Sequence, residues 1–70
     1  MLHTEAGIKS AVKKIHEEHP GSVGAIARRI AKKELINQLV EAGWRPWQAA
    51  DRVKEASRAV TREIAGESRL

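Results

Sequence analysis

The central segment of the chain, residues 22–42, reads SVGAIARRIAKKELINQLVEA. At about 100° of rotation per residue, the apolar residues of its two halves lie on different faces, turned by roughly 160° from each other. The first face holds Val23, Ile26, Ala27 and Ile30, and the second holds Leu35, Ile36, Leu39 and Val40. We therefore predict two short helices, at about 22–31 and 33–42, with a turn near residues 31–33 that lets both faces point into one core. A single straight helix, buried on opposite sides in its two halves, is the alternative.

The segment before it has the pattern of an amphipathic helix over about residues 5–18. Thr4 is placed to cap its first turn, and Pro20 ends it. Its apolar residues form one stripe at helical spacing: Ile8, Ala11, Val12 and Ile15.

The segment after it predicts a last helix over about residues 46–65. Pro46 suits the first position of a helix, where its missing N–H would have no partner. Gly43 can take the left-handed conformation that lets Trp44 fold back over the preceding helix. The β-branched runs typical of strands are missing. The fold class is therefore all-α, a single domain over residues 1–70 with three to four helices.

Size and composition limit what the chain can do. Its 70 residues and 7.8 kDa suffice for one hydrophobic core. Thirteen Lys and Arg against nine Asp and Glu give a net charge of +4 and a pI of about 10.0, which favours polyanions or acidic protein surfaces as partners. The absence of cysteine excludes disulfides and fits a reducing cytoplasm. No apolar run approaches the ~18 residues that a membrane span needs.

The same features disfavour catalysis and metal binding. We find no carboxylate pair, nucleophile–base pair or glycine-rich phosphate loop, so we expect neither an enzyme nor a cofactor. His16 and His19 are three residues apart, which is not the i, i+4 spacing of zinc proteases, and further ligands are not evident. Self-association is the cheapest remaining way to stabilise so small a core, and we expect a homodimer.

Two short helices after a supporting helix form the helix-turn-helix arrangement. Residues 22–31 resemble the first motif helix of many bacterial and phage helix-turn-helix regulators: Ala27 matches the small residue where the two helices approach, and Ile26 and Ile30 match buried positions. Residues 32–42 are similar to the recognition helix. Ala31 stands where the family usually has glycine.

The resemblance implies a small DNA-binding transcriptional regulator of phage, plasmid or bacterial type. The implied phosphate contacts are Arg28, Arg29, Lys32 and Lys33, and the implied base contacts are Lys33, Asn37 and Gln38. The last helix would then mediate dimerisation through Val53, Val60 and Ile64. The four basic residues lie in a stretch, residues 20–33, that contains no acidic residue. Such a run is also typical of an ordinary solvated helix face.

A helical hairpin that binds and inhibits or modulates another protein, without nucleic acid, is the alternative function. Residues 22–42 and 46–65 would form its two arms. Trp47, with Arg45 and Arg58, would contact an acidic partner surface. Trp47 projects from the polar side of the last helix, so we expect it either to contact another chain or to pack against an earlier helix.

Overall fold

The structure is a computed structural model that describes residues 4–68 and contains three α-helices. In chain order these are α1 (Glu5–Glu18), α2 (Ala25–Glu41) and α3 (Pro46–Ser68), and a 3₁₀ turn over Ser22–Gly24 precedes α2. No strand occurs in residues 4–68. The prediction of an all-α fold is confirmed.

The first helix has the predicted bounds. The hydroxyl oxygen of Thr4 accepts a hydrogen bond from the backbone N–H of Gly7 at 3.0 Å, which satisfies one of the free donors of the first turn. His19 caps the other end, where its own N–H donates to the carbonyl of Ile15. The cap predicted from the sequence is therefore present.

The second helix corrects the prediction of two short helices. Residues 25–41 form one uninterrupted α-helix, and the turn predicted near residues 31–33 is wrong. Alanine and lysine are strong helix formers, and without a glycine nothing local ends the helix there. The core accepts only the second apolar face: Leu35 and Leu39 are buried, whereas Ile26 and Ile30 are 75% and 56% exposed. The chain therefore lacks the turn of a helix-turn-helix motif within residues 22–42, and the positions that matched buried residues of the family are exposed.

Helices α2 and α3 form the hairpin that the alternative interpretation expected. Gly43, with φ of 111°, takes a conformation that side-chain-bearing residues rarely adopt. Its N–H donates to the carbonyl of Val40 at 3.1 Å, and the N–H of Trp44 donates to the carbonyl of Leu39 at 3.0 Å. This is the Schellman motif, and it places Trp44, half-buried, against the core as predicted.

The core takes residues from all three helices. Its members are small and medium-sized apolar side chains, namely Ile8, Val12, Leu35, Leu39, Ala49, Val53, Ala56 and Val60. Two ion pairs, Lys9–Glu63 and Arg52–Glu5, join α1 to α3 at the edge of this core.

The connection between α1 and α2 requires glycine at residue 24. Gly24 is buried against the end of α1, and a Cβ atom at this position would lie 2.4 Å from the carbonyl oxygen of His19. That oxygen belongs to the backbone and cannot rotate away. The close approach of the two helices here therefore depends on the missing side chain.

We predict that Gly24→Ala lowers the free energy of unfolding by about 1–3 kcal/mol, because the added methyl group overpacks the α1–α2 connection. Gly66→Ala is the matched control, since a Cβ at Gly66 meets nothing within 4 Å in α3. This second change should raise stability by roughly 0.5–1 kcal/mol through helix propensity. Urea unfolding followed by circular dichroism measures both, and equal effects of the two changes would contradict the packing argument.

Candidate functional site

A groove of about 710 Å³ runs between α2 and α3. Basic side chains from both helices line it, with small and apolar residues between them. The basic residues are Arg28, Arg29, Lys32 and Lys33 on α2, and Lys54 and Arg58 on α3. None of the described residues that line the groove is acidic.

Helical spacing explains why these cations converge. The pairs Arg28–Lys32, Arg29–Lys33 and Lys54–Arg58 are each four residues apart, so the members of each pair lie one turn apart on their helix. The hairpin then turns the cationic side of α3 toward that of α2. The charges of the hairpin are segregated as a result, since the nearby carboxylates face other surfaces.

The carboxylates that pair with cations lie on the α1–α3 side of the molecule. Glu5 pairs with Arg52, and Glu63 pairs with Lys9 at 2.5 Å. The lysine beside it, by hydrogen bond and by charge, holds the pKa of Glu63 below its usual value. Glu34 lies on the opposite flank of α2, in the crevice with α1. None of these acids neutralises the α2–α3 groove.

Two of the six groove cations hold the fold together. The Nη1 atom of Arg28 donates to the carbonyl oxygens of His19 at 2.5 Å and of Gly21 at 2.7 Å. The Nζ atom of Lys32 donates to the hydroxyl of Ser57 at 2.6 Å, which links α2 to α3. Both side chains are half-buried. Their positive charges therefore stay at the floor of the groove, while their donors are used within the chain.

The other four cations form the rim of the groove. Arg29 and Lys33 on α2 and Lys54 and Arg58 on α3 are exposed. In the part of the chain that the structure describes, no hydrogen bond or ion pair joins these rim cations to another residue. Four positive charges are thus gathered around one concave surface without an ion-pair partner among the described residues.

Two titratable groups near the floor of the groove have lowered pKa values. Burial, followed by the charge of Arg28, lowers the pKa of Lys32 from its ordinary value. Burial, followed by the charges of Lys32 and Arg28, lowers the pKa of His16, whose buried Nε2 atom has no hydrogen-bond partner. Burial is the larger cause for both groups, and the neighbouring positive charges act in the same direction.

The predicted base-contacting amides lie apart from the cations. Asn37 is exposed and does not line the groove. Gln38 lies on the other side of α2, in the crevice with α1. Lys54 was not among the predicted contacts, and Arg58 was assigned to a protein interface. The four-residue spacing of Lys54 and Arg58 is visible in the sequence. That these two residues face the basic run of α2 can be inferred only when the alignment of the two helices in the hairpin is known.

The predicted dimer contacts are divided between core and surface. Val53 and Val60 are buried in the chain's own core, so in this structure neither can also face a second copy, and this part of the prediction is corrected. Ile64 is 42% exposed. Arg45 is exposed, and Trp47, at 69% exposure, does not pack against an earlier helix.

A second feature lies on the outer side of α2. Val23, Ile26 and Ile30 are 98%, 75% and 56% exposed and follow one another at intervals of three and four residues. We refer to these three residues as the outer patch. Val23 belongs to the 3₁₀ turn before α2, and Ile26 and Ile30 belong to α2 itself. Large aliphatic side chains exposed close together in this way are typical of protein contacts.

Within residues 4–68, no group of three His, Asp or Glu side chains is arranged to hold a metal ion. No described helix combines the length and the apolar composition needed to cross a membrane.

Comparison of the chain with family models, with curated proteins and with solved structures gave no match.

We predict that Arg28→Met destabilises the protein by about 1–3 kcal/mol, because two carbonyl oxygens of the α1–α2 connection lose their donor. Arg29→Met is the matched control: it removes the same charge from the next residue and should change stability by no more than about 0.5 kcal/mol. Both changes keep the aliphatic stem. Urea unfolding of the two variants tests this, and equal losses would show that the bonds of Arg28 contribute no more than its charge.

Proposed function

We propose that the protein is a small DNA-binding regulator that binds the phosphate backbone of nucleic acid in the α2–α3 groove. The observation that carries this proposal is the set of four exposed rim cations, without protein partners, around a groove that no described carboxylate lines. Arg and Lys supply most side-chain contacts to phosphate oxygens, and these contacts dominate affinity. A cytoplasmic phage, plasmid or bacterial DNA would be the target.

The proposed contacts do not depend on a recognition helix. Arg29 and Lys33 form one rim, and Lys54 and Arg58 form the other. The two cations of each rim are separated by one helical turn, or about 6 Å along the axis. Each rim can therefore engage more than one phosphate, with the guanidinium groups bonding two oxygens at once and the ammonium groups acting as point charges.

Phosphate contacts position a protein on nucleic acid but carry no sequence information. Because Asn37 and Gln38 lie outside the groove, they do not read bases that lie next to the bound phosphates. We therefore expect binding through the groove to depend strongly on salt and weakly on sequence. Any regulatory action would then come from occupancy of the DNA rather than from recognition of a single operator.

An acidic protein surface is the competing partner. It would suit the same charges, and the observed helical hairpin is the fold that this alternative expected. What favours nucleic acid is the concave arrangement: cations line both walls, and in the described chain no carboxylate alternates with them. Protein interfaces more often combine a few such charges with a large apolar centre.

We predict that changing all four rim cations to Gln (Arg29, Lys33, Lys54 and Arg58) abolishes binding to mixed-sequence DNA in a fluorescence anisotropy titration. With four phosphates neutralised, the wild-type plot of log affinity against log salt should have a slope of about −3.6 for a duplex or about −2.8 for a single strand. The rim variant should lose both the affinity and the slope.

The control for this titration changes four exposed cations outside the groove to Gln: Lys13, Lys14, Arg45 and Arg62. Its net charge equals that of the rim variant, so it should retain most of the affinity if the groove is the site. Equal losses of affinity in the two variants would show that DNA binding depends on net charge and not on the groove. Failure of the wild type to bind DNA at low salt would favour the acidic protein partner.

The outer patch favours a second, compatible property, which is self-association. Its two residues on α2, Ile26 and Ile30, are four residues apart, an interval by which helices pair. The partner that presents the same spacing is a second copy of α2, across a twofold axis. Among the residues whose burial is described, only eight apolar side chains form the core, so covering three more would add substantially to its stability. We propose that the dimer expected from the chain's size forms here and not through Val53 and Val60.

We predict a dimer of the wild-type protein in sedimentation equilibrium at micromolar concentration. The double change Ile26→Ser and Ile30→Ser should raise its dissociation constant at least about tenfold, which corresponds to ~1.4 kcal/mol. Helix content should be retained, because neither side chain belongs to the core. A monomeric wild type, or a dimer that the double change leaves intact, would refute pairing through the outer patch.

A further inference from the structure

Trp47 is the largest apolar side chain that the described part of the structure leaves in solvent, with 69% of its surface exposed. It lies in the first turn of α3, next to Pro46. The indole does not belong to the core, and it does not belong to the outer patch of α2. Its position therefore needs an explanation other than folding.

The helical period places Trp47 on the cationic edge of α3. Lys54 and Arg58 follow it by seven and eleven residues, which are two and three turns along the same side of the helix. These two residues form the α3 rim of the groove. Trp47 thus continues the line of the rim beyond the groove's end, about 10 Å from Lys54 along the helix axis.

The acidic neighbour on this part of α3 is Asp51. It follows Trp47 by one turn and is exposed, and it does not line the groove. Its carboxylate repels phosphate from the outer side of the indole. Asp51 also precedes Lys54 by three residues, so a phosphate between Trp47 and Lys54 must keep to the groove side of this carboxylate.

The spacing of the two rims favours a single strand over a duplex as the ligand. The axes of two packed helices lie roughly 8–10 Å apart, so a duplex would touch only the rims. A duplex could instead receive α2 in its major groove, but the outer face of α2 carries Ile26 and Ile30 in place of cations. A single strand can lie between the rims with its bases unstacked and available to an aromatic ring.

We infer that the groove takes single-stranded nucleic acid and that Trp47 stacks on a base of the strand whose phosphates the rim cations hold. This inference rests on the proposed function, since it assumes that phosphate occupies the groove. A positively charged channel with an aromatic platform is the combination by which proteins bind single strands with little sequence preference.

The test compares three ligands of equal length: a single-stranded oligothymidylate, an abasic strand with the same phosphates but no bases, and a duplex. Wild-type protein should bind the oligothymidylate about tenfold more tightly than the abasic strand, a difference typical of one stacked base. Trp47→Ala should lose this preference while binding the abasic strand as the wild type does. Trp47→Phe should keep most of the preference, because it keeps an aromatic ring.

Intrinsic fluorescence gives a second readout. Trp44 and Trp47 are the two tryptophans of the chain, and Trp44 is half-buried at the hairpin. The oligothymidylate should quench the wild-type emission and the abasic strand should not. In Trp47→Phe the emission of Trp44 alone should be unaffected by either ligand.

The outcomes separate this inference from the proposal on which it rests. If wild type and Trp47→Ala bind the oligothymidylate and the abasic strand equally, stacking is refuted while phosphate binding in the groove stands. If the duplex binds as tightly as the single strand, the assignment of the strand type is overturned. If the four-residue rim variant still binds the abasic strand, or if the wild type binds none of the three ligands, the proposed function fails as well.

Discussion

One constraint organises this molecule: α2 is a single rigid helix with two apolar faces, and a core on one side can bury only one of them. The face of Leu35 and Leu39 is packed against α1 and α3, and the face of Ile26 and Ile30 is left in solvent. A bend would have buried both, at the expense of the hydrogen bonds of the helix interior. The uninterrupted helix keeps those hydrogen bonds, and as a consequence the outer patch stays exposed.

The orientation of α2 also decides where its charges lie. Once Leu39 points into the core, Arg29 and Lys33 lie toward α3, whereas Glu34 lies toward α1. The hairpin brings Lys54 and Arg58 to the same groove. Packing thereby gathers like charges that repel one another in the absence of a ligand. At the floor, burial lowers the pKa of Lys32, and the charge of Arg28 lowers it further.

The floor of the groove is made of cations that stabilise the fold. Arg28 and Lys32 bond to the α1–α2 connection and to Ser57, so their charges are held in place by the fold. The rim cations form no such hydrogen bonds within the described chain. The proposed ligand would therefore contact the rim without replacing the hydrogen bonds of the floor.

The local features of the chain were determined by the sequence. The bounds of α1, the Thr4 cap, the reversal at Gly43 and the folded-back Trp44 all follow from hydrogen bonds and backbone preferences that act over a few residues. Such short-range effects can be predicted from the neighbouring residues alone. The net positive charge and the basic run before residue 34 can also be read from the sequence directly.

Only the tertiary structure decided which apolar face of α2 is buried. That choice depends on the sum of the contacts with α1 and α3. The apolar periodicity of α2 alone does not predict which face is buried. The choice separated Asn37 and Gln38 from the basic residues, brought Lys54 to them from a distant part of the chain, and placed Val53 in the core instead of at an interface. Side chains far apart in sequence meet only after the helices have packed, and so the groove could not be read from any one segment.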